Sequence, residues 1–325
     1  MTDLLRRHAG ILSISPPLAR RTLREIAGRV PIVYAHHVGA TAPHLAAVGG
    51  ALSPEDLDER LAMLGRHFEF AGVDDVLADA SGRRVAVTFD DGFDLVGSGA
   101  VEVLGAHGVK ATMFVLTGMR DNRALMWRNK VSAVLAMRPP EACVRAYNAL
   151  AERAGLRRVA AASELMSASW EWDMARKDEL ADELWGACDM PPLREYLDEH
   201  RPYLTADGIA RWRAEGHAIG LHTDTHPDCS RLDEEGVRAE ILEPARRLCD
   251  DLGCDAVHLS YPFGRRCPPA LEHLLAESRR VRCAFGIRGL SRRGTGDLRL
   301  ERASIEGDMR FSVYGKALLG LPRRT

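Results

Sequence analysis

Several kinds of chemistry are excluded by what this chain does not contain. Its seven cysteines, at 143, 188, 229, 249, 254, 267 and 283, are odd in number and include no Cys-x-x-Cys pair. That pattern builds neither a zinc ribbon nor a disulfide framework; reduced thiols in a cytosolic protein are the expectation. No Gly-x-Gly-x-x-Gly follows the first strand-like run and no P-loop is present, which disfavours a nucleotide-binding enzyme. A dominant charge sign is missing as well. Forty-four Lys and Arg stand against 46 Asp and Glu, a net charge of −2, which argues against nucleic acid as a principal partner. The apolar run Ile11–Ala19 is short and broken by Pro16-Pro17, a poor signal peptide and too short to span a bilayer. There is no short internal repeat, no low-complexity tract and no aromatic-rich module that would support polymer binding.

What is present is an ordinary globular composition, 46% hydrophobic and 28% charged, over 325 residues. That length suits a single large α/β barrel. Pro31-Ile-Val-Tyr-Ala35 reads as a first strand, followed by a loop over 40–52. Ser53-Pro54-Glu55 opens a helix running to about His67, with Ser as N-cap and Pro in the first turn. The acidic pair Asp74-Asp75 starts another helix. Strands are expected over 85–89, 110–116, 218–221, 256–259, 282–287 and 299–305. Helices lie between them, including a long one from Asp233 to about Leu252. Residues 120–200 break this rhythm. They are rich in Ala, Arg, Leu and Trp, with joints at Pro139-Pro140 and Pro191-Pro192, and read as an inserted helical cap. Repeated β-α-β spacing predicts an α/β fold, a barrel of about seven units over residues 31–325. Residues 1–30 are expected to be a helical extension. Its Arg-rich stretch, Leu4 to Ile26, is a candidate for contact with a membrane or another subunit, although a solvated helix is the favoured reading.

Three stretches carry chemistry, and each directly follows an apolar run. Val85–Phe89 ends in Asp90-Asp91-Gly92; Ala218–Leu221 ends in His222-Thr-Asp-Thr-His226; Ala256–Leu259 ends in Ser260-Tyr-Pro-Phe-Gly264. The C-terminal ends of parallel strands are where α/β folds build their sites, so the three motifs are expected at one mouth. Two imidazoles and one carboxylate make a three-donor face that leaves positions open for water and substrate. Pro227 argues against a helix through both histidines, so they are placed on a strand-to-loop turn.

In this order, Thr-Phe-Asp-Asp-Gly, His-x-x-x-His and Tyr-Pro-Phe-Gly resemble the polysaccharide deacetylase (NodB-homology) family. The resemblance implies a distorted (β/α) barrel and a hydrolase that removes an N-acetyl group from an amino sugar. It implies a divalent metal on Asp91, His222 and His226, zinc by default, with Co2+, Ni2+, Mn2+ or Fe2+ as alternatives. It further implies Asp90 as general base, and Tyr261 with the backbone N–H of Phe263 around the developing oxyanion. Two departures stand out. Ser260 occupies the place where the family carries an Arg that orients the base, and no late His motif follows His273. One subgroup of exopolysaccharide deacetylases, with a Tyr-Pro-aromatic-Gly turn, carries its acid upstream in a Tyr-His-x-Val-like motif. Tyr34-Ala-His-His-Val38 is similar with one residue inserted, which makes His36 the expected general acid and His37 its competitor. Strand alternation puts those two on opposite faces. The same subgroup often has an Arg at the start of its last strand, so Arg302 is the expected substitute for the missing one. The expected partner is an N-acetylated carbohydrate, as a polysaccharide, lipid-linked or small glycoside, and the expected location cytoplasmic or membrane-peripheral. The alternatives are hydrolysis of an O-acetyl, formamide or cyclic amide bond, or a catalytically silent carbohydrate-binding protein.

Overall fold

The computed structural model describes residues 28–306 apart from 67, 96 and 97. The extension expected over residues 1–30, with its membrane-contact stretch, therefore lies almost wholly outside the described residues. Eight short strands form the barrel wall, numbered here in chain order. They are β1 (Ile32–Ala35), β2 (Arg84–Phe89), β3 (Thr112–Val115), β4 (Ala218–Leu221), β5 (Val257–Ser260), β6 (Val281–Gly286), β7 (Leu300–Glu301) and β8 (Ala303–Ser304). Their order in the sheet is β7-β6-β5-β4-β3-β2-β1-β8, and every pairing along it is parallel. Because β7 and β8 flank Arg302, one segment pairs with β6 on one side and β1 on the other. That segment closes the barrel, so the wall has seven positions.

The strands alternate in the usual way. Val33, Ala35, Val85, Val87, Phe89, Met113, Val115 and Leu221 point outward into a core shared with the surrounding helices. Ile32, Ala86, Phe114 and Phe285 form a separate interior cluster with Val73 and Val76 of helix Val73–Ala78. The interior is filled rather than hollow. At Gly220 a Cβ would stand 2.6 Å from the Phe114 ring, so the β4 backbone approaches as closely as it does only because no side chain intervenes.

Two expected elements differ in detail. The 40–52 loop contains a 3-10 turn, Pro43–Leu45, and a short strand, Ala51–Leu52, that pairs with His37–Val38. The long helix from Asp233 is helical throughout but widens to a π turn over Arg238–Leu242. Between β3 and β4, residues 127–200 contain helices Trp127–Met137, Pro140–Ala154, Leu165–Ala168, Lys177–Ala187 and Leu193–His200. They pack around their own apolar cluster, including Trp127, Tyr147, Trp172 and Leu184, which also takes in Leu45, Phe93 and Tyr203 near the barrel mouth. Among the described residues no helix is long and apolar enough to cross a membrane, and all seven cysteines are free thiols.

Candidate active site

The motif residues reach one mouth because the sheet ladder continues one step past each strand. Asp90 N–H donates to Ala35 O (2.9 Å), His222 N–H to Val115 O (2.8 Å), Tyr261 N–H to Phe285 O (3.0 Å) and Arg302 N–H to Gly286 O (3.1 Å). Beyond those bonds the backbone turns sharply. Asp91, Thr223, His226 and Phe263 all have positive φ, at 70°, 72°, 65° and 57°. Non-glycine residues held there cost about 1–3 kcal/mol each, and such strain persists where surrounding contacts over-determine it. Gly92 extends the turn at φ +70°, with β3 so close that a Cβ would meet Val115 Cα at 3.0 Å.

Asp91, His222 and His226 converge with their donor atoms within 4.8 Å of one another. Both Nε2 atoms lie 3.3 Å from Asp91 Oδ1. His222 Nδ1 is 2.7 Å from Ser260 O, an arrangement that makes Nδ1 the N–H and frees the Nε2 lone pair. The His226 main chain is fixed by Trp127 Nε1, which donates to its carbonyl (2.9 Å). Burial holds the His226 imidazole down at about 4 despite the facing Asp91 carboxylate, so it is neutral at pH 7. Burial opposes ionisation of Asp91, yet the two imidazoles hold its carboxyl well below the usual range. Asp91 Oδ1 is nevertheless buried and accepts no hydrogen bond. A sealed carboxylate oxygen facing two ring nitrogens, with no donor of its own, fits a cation shared by all three.

Asp90 has a different surrounding. Its two oxygens take a bidentate pair of bonds from Arg302, Nη1 to Oδ1 at 2.8 Å and Nη2 to Oδ2 at 2.7 Å. Ser260 Oγ donates to Oδ2 (3.1 Å) while accepting from Arg302 Nη2 (2.6 Å), and Arg302 Nη1 also reaches Thr88 Oγ1 (2.9 Å). Arg302 is fully buried, its guanidinium within 6 Å of the Tyr34, Phe114 and Phe285 rings that line the barrel interior. Burial would raise the Asp90 pKa, but Arg302 and His222 lower it below the ordinary value. Ser260 leaves room for a guanidinium that arrives from the barrel-closing segment instead of its own turn.

His36 and His37 follow β1. Both line the cavity, contrary to the opposite faces expected from alternation, because the barrel strand ends at Ala35 and His37 joins the small strand pair with Ala51–Leu52. Only His36 feels the paired carboxylates. Its Nδ1 lies 2.8 Å from Glu306 Oε1, which also accepts its backbone N–H (2.6 Å). Burial works against the charged ring, but Glu306, Asp91 and Asp90 push its pKa up to about 10. His37 instead contacts Ala40 O (3.2 Å) and the edge of Phe93, and burial lowers its pKa. Tyr261 is buried beside the cavity, and Phe263 packs its ring 4.5 Å from His226.

Three residues of this site have no signature in the sequence. Glu306 lies just past the last strand, while Arg128 and Trp170 come from the helical insertion and line the same cavity of about 250 Å³. A carboxylate after a strand and an arginine in a helix are too common to mark by type, and only the closed barrel brings them to the histidines.

The polysaccharide deacetylase family matches residues 78–274, well over half of the chain. Among solved structures, the chain is similar to the deacetylase PplD of Streptococcus pyogenes, solved with acetate, at 16% identity and a TM-score of 0.57 over 91% of this chain and 99% of that one. It is also similar to IcaB from Ammonifex degensii, at 17% identity and 0.53 over 90% and 98%. A de-N-acetylase from Aggregatibacter actinomycetemcomitans gives 12% identity and 0.51 over 84% and 94%. At these identities the structural likenesses establish the fold. A search of curated proteins returns no match.

Proposed function

The chain belongs to the polysaccharide deacetylase family and is a carbohydrate deacetylase; from that premise we propose that it removes an N-acetyl group from an amino sugar with the help of a divalent cation. The observation that carries the proposal is Asp91 Oδ1, buried without a hydrogen bond and 3.3 Å from both His222 Nε2 and His226 Nε2. Zinc suits two imidazoles and a carboxylate, and Co2+, Ni2+, Mn2+ and Fe2+ share that donor preference. Bound there, the cation would supply a Lewis acid that polarises the acyl carbonyl and acidifies water.

Asp90 takes the proton of the attacking water. Arg302 keeps it ionised and aims it, which is the service that an arginine at position 260 would otherwise give. His36, held protonated by Glu306, donates to the departing amine, and His37 lacks the carboxylate neighbours for that part. The Phe263 N–H is the proposed donor to the oxyanion, beside Tyr261. Asp90 and His36 thus have pKa values pushed apart, down for the base and up for the acid, which matches the assignment of a base and an acid at one site.

Removing the cation with dipicolinate should abolish acetate release from N-acetylated oligosaccharides, and stoichiometric Zn2+ or Co2+ should restore it. Acetate release that continues in protein stripped of metal would overturn the cation's part.

A further inference from the structure

Arg128 lines the cavity that holds the site and feels the Asp91 carboxylate there, but no carboxylate contacts its guanidinium directly. Among the described residues it forms no ion pair, its Nη1 is sealed from solvent, and that atom has no hydrogen-bond partner. A buried guanidinium donor left unpaired is costly, because it has given up water without gaining an acceptor. What holds it is a ring of aromatic faces: its Cζ lies 4.6 Å from the Trp170 centroid, 5.4 Å from Trp127 and 5.6 Å from Phe263. Among the described residues, the other arginine that stacks on this platform and the one under the mouth are neutralised: Arg265, 4.8 Å from the Trp170 centroid, is bound to Asp228, and Arg302 is bound to Asp90.

Position adds to this. The Phe263 ring lies 4.5 Å from His226 and 4.3 Å from Trp170, so the platform runs outward from the histidine pair. Arg128 lies along it, stacked on the same Phe263 ring that packs on His226. An aromatic face accepts the apolar face of a pyranose, and a bare guanidinium beside it accepts a carboxylate or a phosphate in a fork. Resting on the deacetylase reading above, we propose that Arg128, with Trp170 and Phe263, forms a subsite for an anionic substituent. The substrate class is an N-acetylated sugar that carries a phosphate, or that is linked to a sugar bearing a carboxylate. The helical insertion is then the specificity element of the enzyme.

The test is calorimetric titration of the zinc-loaded full chain with three probes. These are N-acetylglucosamine 1-phosphate, a glucuronic acid–N-acetylglucosamine disaccharide, and neutral diacetylchitobiose. The wild type should bind one of the anionic probes at least about tenfold more tightly than the neutral one, equivalent to about 1.4 kcal/mol, and which one identifies the source of the charge. Arg128→Gln should bring that ratio close to one, and Arg128→Lys should restore part of it, with thermal unfolding of each variant showing that it is folded. Equal binding of all three probes, no binding of either anionic probe, or a preference that survives Arg128→Gln would overturn the subsite. Acetate release from the same probes separates this from the parent reading. Hydrolysis without charge preference removes the subsite alone, and charge preference without hydrolysis of any probe removes the deacetylase reading alone.

Discussion

The Asp90–Arg302 pair is the contact on which both the stability and the chemistry of the site depend. Both partners are buried, so removing one leaves the other charged and unmatched, a loss of about 3–5 kcal/mol. Arg302→Met should show that loss in urea unfolding. Its activity profile should move too, because burial without the guanidinium raises the Asp90 pKa and carries the acid limb to higher pH. In the wild type the folded carboxyl lies below its unfolded value. The stability that the pair contributes is therefore present above about pH 4 and lost as pH falls through the folded value. His36 works in the opposite sense. Its pKa, raised to about 10, gives a contribution complete below about pH 6.5 and lost as pH rises through the folded value. Glu306→Gln should accordingly shift the alkaline limb of acetate release to lower pH; a limb that stays in place would show that Glu306 does not hold the proton on His36. Asp90 and His222 were legible because each directly follows an apolar strand, and Asp91 and His226 because they complete the short motifs that begin there. Arg302 was legible through the serine at 260 together with the resemblance to a subgroup that carries an Arg at its last strand, and Glu306 not at all, since a single acid past the last strand has no pattern around it.

Short strands and sharp rim turns make the elements legible and the connections less so. β-branched and apolar runs ended by Gly, Pro or Asp mark the strands, and their parallel order follows from the helices between them. The Ala51–Leu52 pairing depends on His37–Val38, and the 43–45 turn on Asn129 and Ser132 of the insertion, which donate to His44 O and Pro43 O, so neither has a local signal. The π turn at 238–242 likewise has a tertiary cause to point to: Glu240 accepts from Thr225 N–H (2.9 Å) and Thr225 Oγ1, between the two site histidines. Lys177 of the insertion meets the same threonine, its Nζ 2.6 Å from Thr225 Oγ1 and 2.7 Å from Asp178. Lys177→Met, which keeps volume and removes the donor to the turn between the two histidines, should weaken Zn2+ affinity by up to about 10-fold, the lower end of what is lost when a group bonded directly to a ligand is removed. Competition with a chromophoric chelator measures it, and unchanged affinity would make this network a matter of stability alone. Gly264→Ala should damage the turn directly. Its φ is +65°, and a Cβ would fall 2.4 Å from Ile287 Cγ1.

The whole molecule is a filled barrel with a helical cap whose own core reaches the mouth through Leu45, Phe93 and Tyr203. Cap and barrel together enclose the cavity, with Met126, Arg128 and Trp170 coming from the cap. The sequence marked the insertion by its composition and its proline joints. Its contribution to the site depended on where the barrel turned it, and that is a long-range property. A cation that binds only the folded chain should stabilise it by about 2.7 kcal/mol at a hundredfold excess over Kd, so that the thermal midpoint rises with cation concentration. The most direct test of the account joins metal content by elemental analysis to acetate release from N-acetylated oligosaccharides, in the wild type and in Asp90→Asn. One bound cation is expected in both proteins, with a loss of about 10²–10⁴-fold in turnover in the variant. Absence of bound metal after repletion, or full activity in Asp90→Asn, would contradict it.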